Sequence, residues 1–168
     1  MIDFRETTPQ DLSAIMSMVA AAQAWFKAEG IDQWQDGYPT QAIFEADLMA
    51  RASYVGVQEG RVVLTGCLSF AGEPTYAQIE QGAWLNEAPY GVVHRLVVEP
   101  SFRGKRLAEA FFRFAFAECH RRGIVNLRVD THRQNRPMQR LLERLGFRPC
   151  GRIYLASGAA RDAYQITF

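Results

Sequence analysis

Val92-Val93-His94-Arg95-Leu96-Val97-Val98-Glu99-Pro100-Ser101-Phe102-Arg103-Gly104-Lys105-Arg106-Leu107-Ala108 contains the change of period that decides the fold. From Gly91 to Glu99 the chain is β-branched and apolar, as a buried strand requires, and Pro100 ends it. Leu107 then opens a run to Arg122 in which Leu107, Phe111, Phe114, Ala115 and Glu118 recur at helical spacing until Gly123 stops it. A basic turn joins the strand to the helix. The first N–H groups of a helix have no acceptor within it and stand at the positive end of its dipole. With Arg103, Lys105 and Arg106 they form an anion site, and Gly104 and Ala108 are small enough to let a phosphate approach the backbone. An exposed basic turn that merely starts a helix has the same composition. The turn lacks the glycine spacings of a Walker phosphate loop and of a dinucleotide fingerprint.

Working outward, Ile2–Glu6 alternates as a short strand, and Thr8-Pro9-Gln10-Asp11 is a helix-start signal. Leu12, Ile15, Met16, Val19, Ala20, Gln23 and Phe26 then trace a helix to about Gly30. An aromatic loop follows to Pro39, and Thr40 caps a second helix with Ile43, Phe44, Leu48 and Met49 as its stripe. Ser53–Gln58 and Arg61–Phe70 are strands joined at Glu59-Gly60, a hairpin signal. Tyr76–Leu85 reads as a further strand, Ile124–Asp130 as another, and Pro137–Leu145 as a helix ended by Gly146. The tail holds strands around Arg152–Leu155 and Ala163–Phe168. The order predicts a mixed sheet covered by helices, with one parallel crossover through Leu107–Arg122.

At 168 residues the chain is the size of one domain, 1–168, and 48% hydrophobic with 22% charged residues is a globular composition. A net charge of +1 argues against binding nucleic acid by bulk electrostatics, so a nucleic-acid or nucleotide binder built on the basic turn is disfavoured. No apolar run approaches the ~20 residues that cross a bilayer, and the N-terminus lacks the pattern of a secretory signal. Cys67, Cys119 and Cys150 are far apart and read as three buried small hydrophobes, with no disulfide or zinc site. These features lead us to expect a cytoplasmic protein.

In this setting Arg103-Gly104-Lys105-Arg106-Leu107-Ala108 resembles the pyrophosphate motif of the GNAT superfamily of N-acetyltransferases, Arg/Gln-x-x-Gly-x-Gly/Ala. It matches at Arg103 and Ala108, and Arg106 stands where the pattern usually has glycine. Asn135, followed by Met138, Leu141, Leu142 and Leu145-Gly146-Phe147, resembles the second motif of that family, in the right order and with a strand between. The resemblance covers essentially the whole chain. It implies an α/β fold of GNAT type: a mixed, mostly antiparallel sheet with helices on both faces and a splayed parallel strand pair. It also implies acetyl-CoA as cosubstrate and no metal. The main chain of Leu96 and Val98 would bond the pantetheine and acetyl carbonyl. The N–H groups of Arg103, Gly104, Lys105, Arg106, Leu107 and Ala108 would hold the pyrophosphate. The side chain of Asn135 would bond the pantetheine, its other reading being a helix N-cap.

The implied reaction is direct attack of a primary amine on the thioester, which needs a base and a proton source for the leaving thiolate. Family members often carry a tyrosine acid seven positions after the motif asparagine; here that position is Leu142. Tyr154, Tyr164 or a water would substitute, with Tyr154 the candidate. Period-two alternation puts His94 on the strand face of Leu96 and Val98, where an imidazole suits a general base. His94 reads equally as a structural histidine bonded to Asp130 or Glu80, and Glu80 joins it as a candidate catalytic residue. Arg95, on the opposite face, needs a carboxylate if buried, and Asp130 has the right chemistry. Asp130-Thr131-His132 has no second histidine or cysteine nearby to complete a metal site.

Trp25, Trp34, Tyr38 and Trp84 fall in segments that border the acceptor site in this superfamily, with Glu29, Asp32, Asp36 and Glu80 among them. Aromatic faces and carboxylates suit a cationic amine or amino-acid-like acceptor, although the same tryptophans would also fill core beneath a loop. A homodimer is left open by the sequence, with this helix–loop–helix as the place for its contacts. Three functions stay open: a small-molecule amine acetyltransferase, a protein N-terminal or lysine acetyltransferase, and a non-catalytic acyl-CoA-binding regulatory domain.

Overall fold

A computed structural model describes residues 1–168. The elements in chain order are β1 (Asp3–Glu6), α1 (Leu12–Ala28), α2 (Gln41–Met49), β2 (Ser53–Gln58), β3 (Arg61–Ser69) and β4 (Gly91–Val98). They continue with α3 (Leu107–Arg121), β5 (Asn126–Thr131), α4 (Arg136–Arg144), β6 (Arg148–Tyr154) and β7 (Ala160–Thr167). The seven strands form one sheet in the order β1-β2-β3-β4-β5-β7-β6, and β4 with β5 is its parallel pair. This is the mixed, mostly antiparallel α/β architecture expected from the sequence.

The chain forms two compact units, Met1–Leu68 with Arg95–Phe114 and Ser69–His94 with Ala115–Phe168. Their boundary falls inside β4 and inside α3, so neither unit is a contiguous segment.

In the first unit, alternation along β2 sends Val55 to one face and Tyr54 to the other. Val55 and Val97 pack with Ile15, Met18, Val19 and Ala22 of α1 and Phe44 of α2. Opposite, Tyr54 meets Phe114 edge-on at 5.1 Å, and Phe4 contacts Phe111 and Phe114 of α3. Helices therefore cover both faces here. Gly66, paired with Tyr54, makes room for α3: a Cβ at this residue would lie 2.6 Å from the Phe111 ring.

In the second unit, β4 and β5 pair only at Gly91↔Leu127 and Val92↔Arg128, so the parallel ladder stops two residues before His94. β5 continues antiparallel to β7, and β7 to β6 with a bulge at Pro149/Gly151. Tyr76, Val92, Ile153 and Ala163 form the buried cluster on one face.

Tyr76–Leu85 is not a strand. Pro74–Tyr76 is a 3-10 turn capped by the Glu73 carboxylate, and the segment touches the sheet only through the Glu80↔Arg152 bridge. Its β-forming side chains serve packing instead: Tyr76 is buried, and Trp84 Nε1–H donates to the Tyr76 carbonyl at 2.9 Å. Gly82 sits so close to β6 that a Cβ would lie 2.0 Å from the Cys150 carbonyl oxygen. β6 and β7 also begin earlier than the sequence reading placed them, since the bulge lets Arg148 and Pro149 pair ahead of Gly151.

Candidate functional site

In the first unit β4 ends at Val98, and the Glu99 carboxylate caps the 3-10 turn Pro100–Phe102 by accepting from Ser101. Two left-handed residues then reverse the chain, Gly104 at φ +79° and Arg106 at φ +58°. The Arg106 position thus has the geometry for which the family pattern uses glycine, and here an arginine adopts it. Leu107 and Ala108 open α3, so their N–H groups have no acceptor within the helix. Arg103, Gly104, Lys105 and Arg106 are exposed. Arg103 stacks on Trp25 at 5.3 Å, and Lys105 on Phe102 at 4.1 Å. The turn is therefore an exposed cluster of cations above a helix start, two of them resting on aromatic rings.

The alternation of β4 breaks at Arg95, which has φ +51° inside a strand. A period-two argument therefore does not carry from His94 across to Leu96 and Val98. Arg95 does not pair with Asp130. Its Nε and Nη2 donate to the two Asp47 oxygens at 2.8 and 2.7 Å, and its Nη1 to the Tyr38 hydroxyl at 2.8 Å. Tyr38 in turn meets the Trp34 ring edge-on at 6.3 Å, and Trp34 meets Phe26 at 5.7 Å.

In the second unit His94 is bound to a carboxylate that the sequence reading did not single out. Its Nε2 lies 3.0 Å from Glu73 Oε2, and its Nδ1 lies 3.8 Å from Asp130 Oδ1. The other Glu73 oxygen accepts from the N–H and hydroxyl of Thr75 at 3.1 and 2.9 Å. The imidazole bond, helped by Thr75, outweighs burial and holds the Glu73 carboxyl down at about 2. Asp130 Oδ1 also accepts from the Tyr76 hydroxyl at 2.6 Å, and burial pushes that phenol well above its ordinary range. His94 and Glu73 stay reachable, with side chains 19% and 22% exposed. The capped turn Glu73-Pro74-Thr75 was the available signal for Glu73, since such a turn fixes a carboxylate in place.

The other candidates lie elsewhere. Glu80 is exposed and pairs with Arg152 through its backbone, so it is not the partner of His94. Tyr154 is 39% exposed on β6, three strands from β4. Leu142 is fully buried. Trp84 lies under Arg128, whose guanidinium sits 4.2 Å from its ring and 3.9 Å from that of Tyr90. Asn135 caps α4, its Oδ1 accepting from the Met138 N–H at 3.3 Å. All three cysteines are buried, and burial pushes the thiols up, to about 12 for Cys67 and about 11 for Cys119. No group of three His, Cys, Asp or Glu side chains could hold a metal ion, and no helix is long and apolar enough to cross a membrane.

The model of the acetyltransferase (GNAT) family matches residues 19–147. The chain belongs to the GNAT acetyltransferase family. A GNAT acetyltransferase from Streptococcus agalactiae is 30% identical over 99% of this chain and 95% of its own, with a TM-score of 0.89. The PaiA N-acetyltransferase of Thermoplasma acidophilum, solved in complex with coenzyme A, is 14% identical with a TM-score of 0.74, over 100% of this chain and 99% of its own. YncA of Salmonella typhimurium, solved with its cofactor acetyl-CoA, is 17% identical with a TM-score of 0.71, over 99% and 94%. At those identities the last two share the fold. No curated protein matches the chain. This acetyltransferase thus carries a left-handed arginine, Arg106, in the exposed basic turn before α3.

Proposed function

We propose that this acetyl-CoA-dependent acetyltransferase moves the acetyl group to the primary amine of a small-molecule or amino-acid-like acceptor, by direct attack with His94 as base. The observation that carries the reading is His94 held by Glu73 at 3.0 Å, with Asp130 3.8 Å from its other nitrogen. An ionised Glu73 only accepts, so it selects the Nε2–H imidazole and leaves the lone pair on Nδ1. At 3.8 Å Nδ1 makes no hydrogen bond to Asp130, and the Oδ1 atom it faces already accepts from Tyr76. The ammonium proton of the acceptor passes to Nδ1. The resulting imidazolium lies beside two carboxylates that stabilise its charge as it forms. The free amine bonds the thioester carbon, the C–S bond breaks, the nitrogen gives up its second proton to solvent, and the thiolate gains one to leave as free CoA. Leu142 has no proton to give and Tyr154 lies three strands from β4, so a water is assigned that last transfer.

Buried thiols with raised pKa support direct attack over an acyl-cysteine intermediate. Three free cysteines also support a reducing, cytoplasmic setting. The donor is assigned to the main chain of Leu96 and Val98, the N–H groups of Gly104, Arg106, Leu107 and Ala108, and Asn135, because the Arg103 and Lys105 N–H groups already donate to the Pro100 and Phe102 carbonyls. Trp34, beside Tyr38 and half-buried against the α1 core cluster, is the aromatic ring assigned to the acceptor, because the Trp25 and Trp84 rings already carry guanidiniums.

The test is His94→Gln beside Glu73→Gln. His94→Gln should lower kcat/KM by about 10²–10⁴ above the inflection of the parent enzyme and remove that rising limb. Glu73→Gln should shift the limb, because it removes the charge beside the ring. Parent-like pH–rate profiles in both variants overturn His94 as the base.

A further inference from the structure

Arg95 occupies a backbone conformation that a bulky side chain avoids, φ +51° in the middle of a strand. Such a residue persists only where its surroundings over-determine it, and at Arg95 they do so through three charge-assisted hydrogen bonds. The two donors of the guanidinium fork reach both oxygens of Asp47 on α2. The remaining nitrogen reaches the hydroxyl of Tyr38 in the loop between α1 and α2. A regular strand residue would follow the alternation of β4, so the positive φ re-aims the Arg95 side chain toward that loop.

The same loop has a second strained residue, Trp34 at φ +61°, whose ring rests edge-on against Tyr38. Gln23 of α1 donates to the Tyr38 carbonyl at 2.9 Å, and the Tyr38 N–H donates to Asp36 at 3.2 Å. Tyr38 is thus bound through its N–H, its carbonyl and its hydroxyl, and the hydroxyl bond is the one that ties the loop to β4.

We infer that Arg95 is a positioning residue, a latch from the positive-φ break in β4 through Tyr38 that holds the Trp34 face of the α1–α2 loop in the conformation that receives the amine. This rests on the assignment of Trp34 to the acceptor. It predicts a split: loosening the latch weakens use of the amine and leaves use of acetyl-CoA unchanged.

Tyr38→Phe removes the hydroxyl and keeps the ring, and Arg95→Lys keeps the charge and loses the fork. Each should raise the amine KM about fivefold or more, with kcat and the acetyl-CoA KM within about twofold. The probes are spermidine, tyramine, L-lysine amide and an alanine-initiated tetrapeptide. Hydrogen exchange of the amides of residues 33–38 should accelerate in Tyr38→Phe while α1 and α2 keep the parent rates. Unchanged amine KM and unchanged loop exchange overturn the latch, as does a rise in both KM values together. A parent enzyme that releases no thiol with any of the four amines overturns the amine assignment, and the exchange of residues 33–38 then still decides whether Arg95 holds the loop.

Discussion

Replacing Arg106 separates what its backbone does from what its side chain does. The residue is exposed and has φ +58°, a region in which a side-chain-bearing residue costs about 1–2 kcal/mol. Arg106→Ala removes the guanidinium and keeps that cost. Arg106→Gly removes both, and loses about 0.4–1 kcal/mol through the greater freedom of glycine in the unfolded chain. The glycine variant should therefore be more stable than the alanine variant by about 0.5–1 kcal/mol, or roughly 1–4 °C in Tm for a chain of this size. If the N–H group is what serves the pyrophosphate, both variants keep CoA affinity within about threefold, because neither removes it. Calorimetric titration with CoA and thermal unfolding of the three proteins measure both quantities. A tenfold loss of affinity in both variants would assign the contact to the guanidinium. An Arg106→Gly protein less stable than Arg106→Ala would contradict the left-handed geometry itself.

Two further outcomes follow from the packing and charges. The Asp11 carboxylate accepts from Arg5 at 2.7 and 2.9 Å and from Thr8, and chiefly the Arg5 bond holds it at about 2. A carboxyl depressed below its unfolded value stabilises the fold above that value, and the gain disappears as pH falls from about 4 toward 2. With Arg5 half exposed, Asp11→Asn should cost about 1–2 kcal/mol at pH 7 and almost nothing near pH 2, and urea titrations at both pH values check it. Gly66→Ala places a Cβ within 2.6 to 3.0 Å of three atoms of the buried Phe111 ring. It should destabilise by about 1–3 kcal/mol, and a variant as stable as the parent would mean that α3 shifts freely on the sheet.

The strand–turn–helix around Arg103 was legible because both periods are local and Pro100 and Gly123 punctuate them. The second motif was legible for the same reason, from Asn135 to Gly146. The positive φ at Arg95 was not, because nothing in Val93-His94-Arg95-Leu96-Val97 marks one residue for it; three hydrogen bonds to residues far away in sequence hold it. The partner of His94 was missed on similar grounds. Glu73 lies 21 residues before it in an irregular segment whose path is set by the Tyr76–Asp130 bond, 54 residues apart. Tyr76–Leu85 has the composition of a strand, yet its aromatic residues pack into the cluster around Tyr76 and its backbone makes one bridge. Composition registers β-forming residues. It does not register that a capped turn and a close approach at Gly82 have already used them.

The central claim is acetyl transfer to an amine, and the direct measurement is thiol release from acetyl-CoA with and without the amine panel, with the product identified by mass. The account predicts release that depends on a primary amine, an N-acetylated product in equal amount, and loss of both in His94→Gln. Tight CoA binding with no amine-dependent thiol release would contradict it and leave an acyl-CoA-binding domain on the same fold.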